Sequence, residues 1–186
     1  MLPFLLITML IARLKGYRPS SIFKTFTILP FLFFELLFYV MQYLAALGIQ
    51  DVVRFAQPLK FCFFASLLLP IFYFKLYKHA ILGSALVLTG TLLNKTAMWA
   101  NNGKMPVHFT LSKLTGFANE SMFDAPGSIH ILMDQSTKLN ILGDFIDLGY
   151  CVMSIGDIIM KAYFVIVFYQ MIRIMEQRRK KIENAN

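Results

Sequence analysis

The chain has 186 residues, 58% of them apolar and 15% charged, with a mean hydropathy of +0.62. That leaves too little polar surface to cover a water-soluble globule of this length, so composition excludes an ordinary soluble domain and implies an all-α, polytopic helical membrane protein. Eighteen Lys and Arg against ten Asp and Glu give a net charge of +8. No basic stretch is interleaved with exposed aromatics or joined to a nucleic-acid fold signature, so the surplus is assigned to loops held on the cytoplasmic side and no nucleic-acid partner is expected.

A membrane-crossing helix needs about 20 mostly apolar residues. Runs of this kind define about five spans, near 1–14, 27–48, 59–73, 80–100 and 151–175, in a single membrane domain covering 1–186. The first is short and stops at Arg13 and Lys15; without a basic start or a small-residue cleavage pattern, it is not expected to be a cleaved signal peptide. It crosses only if the bilayer thins or those two side chains snorkel. Ser20 or Ser21 is the expected N-cap of the second helix, and Gly48, Gln50 and Asp51 end it. Lys75, Lys78 and His79 are expected to close the third. Residues 101–150 carry Gly, Pro, Asn, Asp and Ser throughout and form one large external loop. Its apolar residues, including Phe117, Met122, Phe123 and Ile129, need cover, so short interfacial helices are expected there, with a partner surface as the rival explanation.

The positive-inside rule sets the orientation. Eleven Lys and Arg fall on one side of the five-span arrangement and five on the other, with Lys95 and Lys161 inside spans. The amino terminus is therefore expected outside and the carboxyl terminus in the cytoplasm, with a basic tail over 176–186.

Ionisable residues within spans cost about 2.5–3.5 kcal/mol each on insertion scales and need a partner or a use. Glu35, Lys95 and Lys161 are the intramembrane ionisable residues. Glu35 is read as a functional acid, as neutral through a raised pKa, or as paired with a neighbouring helix. Asp157 and Lys161, at i and i+4, are spaced for a same-helix ion pair. Asn94, Met98 and Asn101 share a helix face leading up to the loop, either lining a polar crevice or bridging helices. Asn94-Lys95-Thr96 and Asn119-Glu120-Ser121 match the glycosylation sequon formally.

The candidate polar cluster comprises Asn94, Asn101, Asn102, Gly103, Asp144, Ser154 and Asp157. Gly103 permits a tight turn after the fourth helix and Pro106 stops the helix from resuming. Asp144 and Asp157 are then candidates to approach each other, with amide and hydroxyl oxygens nearby, as a hard-cation site or an acid/base pair. Turn and cap chemistry that merely folds the loop is the competing explanation.

Asn101, Gly103, Met105 and Pro106 at the end of a span, then Thr137 and Leu139, then Leu142-Gly143-Asp144, then Ser154, Gly156 and Asp157 opening the last span form an ordered set. With the basic turn Arg13 to Arg18, this order resembles a family of small bacterial multi-pass membrane proteins defined only as a domain of unknown function. The resemblance implies a bacterial cell membrane and an external polar cluster, and it brings no reaction.

Catalytic signatures are absent: no phosphate-binding loop, His-Glu-x-x-His, Gly-x-Ser-x-Gly or Cys-x-x-Cys occurs. His79 is expected on the opposite side from His108 and His130, which precludes a metal site using all three. The two cysteines, Cys62 and Cys151, make neither a disulfide framework nor a zinc site, and a thiol pairing of Cys151 with His108 or His130 is disfavoured. No cofactor and no metal is expected. The sequence therefore supports a non-enzymatic accessory or binding subunit of the lipid bilayer, using its external loop or helices toward a protein partner or a second copy. The alternative is a carrier or membrane enzyme with a cation, proton or small polar ligand site built from Asn101, Asp144, Ser154 and Asp157.

Overall fold

A computed structural model of the chain describes all residues except 48, 50, 51, 53, 54, 119–127 and 186, and leaves out the side chains of 45, 46, 56 and 57. The expected end of the second span at Gly48, Gln50 and Asp51, the Asn119 sequon, and Met122 and Phe123 lie outside the described residues. The fold is helical: α1 (Leu2–Leu14), α2 (Leu29–Ala46), α3 (Ala56–Ser66), α4 (Leu68–Phe74), α5 (Tyr77–Ala100), the single turn α6 (Leu111–Leu114) and α7 (Ile155–Glu183). Three stretches are long and apolar enough to cross a membrane: Phe26–Leu44, Tyr77–Ala100 and Ile155–Glu183. The apolar helices Leu2–Leu14 and Pro58–Phe74 are shorter. At 1.5 Å per residue the 13 residues of α1 span about 20 Å, less than the roughly 30 Å of a hydrocarbon core.

Local chemistry moves several boundaries away from the sequence reading. Ser20 and Ser21 lie inside a 3-10 turn, Pro19–Lys24, and do not cap α2. Thr25 does the capping instead: its Oγ1 accepts from the Thr27 N–H at 3.4 Å and opens the 3-10 turn Phe26–Ile28 that leads into α2. The third apolar run starts at Ala56 because Pro58, in the first helical turn, needs no intrahelical N–H bond. It is split at Leu67 between α3 and α4, where Pro70 cannot donate to Ser66, four residues back. Lys75 alone closes α4, in the left-handed region at φ 55°, so Lys78 and His79 fall in the first turn of α5. The last helix starts at Ile155, not Cys151, because Val152 and Met153 are drawn into an extended pairing with Asp147 and Ile146. It runs on to Glu183 because Arg179 pairs with Glu176 and Glu183 along the helix.

The chain packs as two compact units, Met1–Leu82 with Phe164–Asn186, and Gly83–Tyr163. The first has an aromatic core. Phe31, almost fully buried, meets Phe63, Phe164 and Phe168 at ring-centroid distances of 5.9, 5.8 and 4.7 Å, mostly edge-on as ring quadrupoles favour.

The second unit joins the later part of α5 to the start of α7 through the 101–150 segment. Gly83, Gly90 and Ala97, seven residues apart, are buried along one face of α5. A methyl on Gly156 of α7 would stand 2.6 Å from the Gly90 carbonyl oxygen, and one on Gly90 would collide with the Gly156 carbonyl. The two backbones touch directly, the close approach that small residues allow between helices in lipid. The segment between them holds no interfacial helix longer than the four residues of α6 among the described residues. It is built instead from two strand pairs. In one, β1 (Met105–Val107) runs parallel to β2 (His130–Leu132); in the other, β3 (Ile146–Asp147) runs antiparallel to β4 (Val152–Met153). A parallel bridge between Val107 and Asp144 adds a third chain crossing beside β1.

Gly90→Ala or Gly156→Ala is expected to destabilise the protein by about 1–3 kcal/mol through overpacking. Leu88→Ala, on the exposed side of α5, is expected to change little. Thermal unfolding in detergent checks both, and an unchanged midpoint for Gly156→Ala would refute the backbone contact.

Candidate functional site

The residues of the candidate polar cluster fall into three bonded groups. The first joins the helices. Asn94 of α5 donates from Nδ2 to Asp157 Oδ1 at 3.0 Å and accepts at Oδ1 from the Ser154 hydroxyl at 2.8 Å. Ser154 Oγ in turn accepts from the Asp157 N–H at 3.0 Å, so Ser154 caps α7 while it binds α5. Lys161 Nζ lies 3.9 Å from Asp157 Oδ2, the i,i+4 pair read from spacing, and 2.8 Å from the Met153 sulfur. Asn94 is thus an inter-helix amide. Its neighbour Lys95 points away from this network, exposed like Trp99 one turn later, which is 84% exposed.

The second group ties the segment to the end of α5. Asn101 donates from Nδ2 to the carbonyls of Ala97 at 2.8 Å and Lys138 at 2.7 Å, and accepts from the Lys138 N–H at 2.8 Å. Both amide protons are committed. Asn102 and Gly103 take the left-handed conformation, φ 54° and 83°, and end the helix with the Gly103 N–H on the Met98 carbonyl at 2.8 Å. Gly103 serves the turn, and both residues are exposed.

The third group surrounds β1. The Asp144 N–H donates to the Pro106 carbonyl and the His108 N–H to the Asp144 carbonyl, each at 2.8 Å. A methyl on Gly143 would stand 2.6 Å from the Pro106 oxygen. The Met-Pro and Leu-Gly-Asp motifs, far apart in sequence, are therefore packed backbone to backbone. The buried Asp144 carboxylate lies 3.9 Å from His130 Nε2. Burial lowers the His130 pKa below the ordinary imidazole value, with the negative charge of Asp157 acting in the opposite direction. His130 is thereby held neutral beside one carboxylate and within the field of another.

Two features of the site escaped the motif reading. Asp147 is the main organiser of residues 110–149: its carboxylate accepts from the N–H groups of Thr110, Ser112 and Gly149 at 2.8–2.9 Å and from the Ser112 hydroxyl at 2.5 Å. Desolvation pushes its pKa up, but the donors from Ser112, Gly149 and Thr110 together outweigh that and hold it at about 2. The other is His130, which stands at β2, opposite Met105. No local sequence signal marks either residue, because Asp147 binds Thr110 and Ser112, 37 and 35 residues before it, and His130 meets Asp144 only through the fold. Asp134 builds a smaller turn, accepting at Oδ1 from Ser136 and Thr137.

Among the described residues no three His, Cys, Asp or Glu side chains converge as metal ligands. Burial raises the Cys151 pKa and keeps the thiol protonated and poorly nucleophilic. In the first unit, Glu35 is buried, and its Oε1 accepts from the Met1 amine at 2.9 Å and the Leu2 N–H at 2.7 Å, capping the start of α1.

These features define a helical membrane protein in which long apolar helices carry a hydrogen-bonded segment between α5 and α7. The chain belongs to the family of unknown function DUF5317, whose model matches residues 20–170. No curated protein and no solved structure matches it.

Asp147→Asn is expected to lower hydrogen-exchange protection of the Thr110 and Ser112 amides about tenfold at neutral pH, since bonds to a charged acceptor are lost. Because folding depresses this pKa from 3.8 to about 2, the stabilisation is complete above about pH 4. It is lost as pH falls through about 2. Protection that survives acidification to pH 2 would contradict this role. In a double-mutant cycle, Asn94→Ala and Ser154→Ala are expected to couple by about 0.5–3 kcal/mol in unfolding, as residues of one network do.

Proposed function

We propose that the protein is a non-enzymatic accessory or binding subunit of a bacterial cell membrane, multi-pass, with its amino terminus outside and its carboxyl terminus in the cytoplasm. It presents the 101–150 segment to a protein partner. The observation that carries this reading is a contrast within that segment. Its backbone is pinned by Asn101, Asp144 and Asp147, yet Leu114 and Ile141 are 84% and 69% exposed, with Phe117 and Ile129 also on the surface. A fixed scaffold that holds apolar side chains outward suits recognition. The positive-inside count supports the orientation.

A photo-crosslinking side chain at Leu114 or Ile141 is expected to give a discrete protein adduct in native membranes, and lipid adducts alone would overturn the reading. Cysteine replacements at Lys138 and Lys180 are expected to label from outside and only after permeabilisation, respectively.

The second reading, a proton or small polar ligand site, is favoured by the position of His130 beside Asp144 and in the field of Asp157. It requires that Asp144→Asn and Asp157→Asn, at normal abundance in the membrane, abolish a growth phenotype singly and without further loss together. Loss of abundance in either variant would instead assign both carboxylates to folding.

A further inference from the structure

Three apolar segments of the first unit change to charged sequence at one place. The stretch leading into α2 begins just after Lys24, α4 ends at Phe74 before Lys75, and the apolar part of α7 ends at Met175 before Glu176. A cleft of about 290 Å³ opens there. Aromatic rings form its apolar wall: Phe26 packs edge-on against Tyr73 at 5.1 Å, and Tyr73 against Phe74 at 4.8 Å. Lys24, Arg178 and Arg179 supply its cations.

Those cations are not equivalent. Arg179 is spent on Glu176, which it grips through two nitrogens at 2.6 and 3.2 Å, and on Glu183. Among the described residues no carboxylate pairs with Lys24 or Arg178. The Arg178 guanidinium lies over the Phe74 ring, 5.4 Å from its centroid, which holds it at the cleft. Two uncompensated cations above an aromatic and aliphatic wall, at the level where hydrocarbon-compatible sequence stops, match a ligand with a phosphate at one end and acyl chains at the other.

We propose that this cleft is a discrete site for an anionic phospholipid, whose headgroup phosphate is held by Lys24 and Arg178 and whose chains run along the apolar wall. Arg179 is a positioning residue that neutralises the buried Glu176 and keeps its charge from repelling the phosphate. A polybasic tail acting only as a diffuse field would depend on total charge, whereas this site depends on two named residues.

The test is native mass spectrometry of the full chain in detergent, titrated with dioleoyl phosphatidylglycerol or with phosphatidylcholine of the same chains. The wild-type protein is expected to retain one phosphatidylglycerol about tenfold more tightly than phosphatidylcholine. The double variant Lys24→Gln with Arg178→Gln is expected to lose that preference while keeping its thermal midpoint. Lys180→Gln with Lys181→Gln, which removes the same charge outside the cleft, is expected to keep the preference. Equal loss in both double variants, or no headgroup preference in the wild type, would overturn the site. Displacement of the lipid by millimolar inorganic phosphate would reassign it to a soluble anion and overturn the phospholipid assignment.

Discussion

The contact between Gly90 and Gly156 is the constraint on which the rest of the second unit depends. Lipid is as apolar as the side chains of a membrane helix, so burial of apolar surface supplies little net force between two helices there, and close packing with satisfied polar groups must do the holding. Removing both Cβ atoms lets the carbonyls of Gly90 and Gly156 approach the opposite backbone, and it brings Asn94 within reach of Ser154 and Asp157. The amide then has protein partners and Asp157 has a donor. The same contact holds the later part of α5 against the start of α7, the two helices that bound the 101–150 segment.

With its ends fixed, the segment solves its backbone hydrogen bonding through acceptors that are side chains. Gly103, Pro106 and Gly143 interrupt helical continuation. Short strands remain, too small to satisfy all the N–H groups. Asp147 and Asp134 each accept from more than one backbone nitrogen, and Asn101 accepts from the Lys138 N–H while donating to the Ala97 and Lys138 carbonyls. Among the described residues this accounts for the absence of any interfacial helix longer than α6. A helix over these residues would satisfy its own backbone and leave the carboxylates without their donors, whereas the folded turns use both. Met105, Val107, Phe109 and Met153 turn inward, while Leu114 and Ile141 stand outward on turns held by polar bonds.

The parts of this arrangement legible in sequence are those that depend on local composition. Runs of apolar residues located the five hydrophobic segments, and Asn-x-Gly-x-Met-Pro marked the end of α5, because a left-handed glycine and a following proline act within a turn. Asp157 with Lys161 was readable for the same reason. Helix starts were less legible, since Thr25 and Ser154 outcompeted nearby residues through contacts that spacing does not reveal. The roles of Asp147 and His130 were not legible because Thr110 and Ser112 reach Asp147, and Asp144 reaches His130, only through the fold. The Gly83, Gly90, Ala97 seam did leave a trace, a seven-residue recurrence of small residues, but it becomes meaningful only once Gly156 is known to face it.

Charge placement follows one rule across both units. Each of the carboxylates Glu35, Asp157 and Glu176 is given a donor by a neighbouring element or turn: the start of α1, the Asn94 amide, and Arg179. An unpaired charge in an apolar surround would cost several kcal/mol, so these pairings are conditions for assembly and do not by themselves mark chemistry. Lys24 and Arg178 differ in kind. They stand at the end of apolar segments without a paired carboxylate among the described residues, beside the rings of Phe26, Tyr73 and Phe74, the last of which Arg178 covers. Where the carboxylates have been matched from within the chain, the surplus of positive charge at that cleft is a demand for negative charge from outside it, and in a bilayer the nearest source is the lipid headgroup layer.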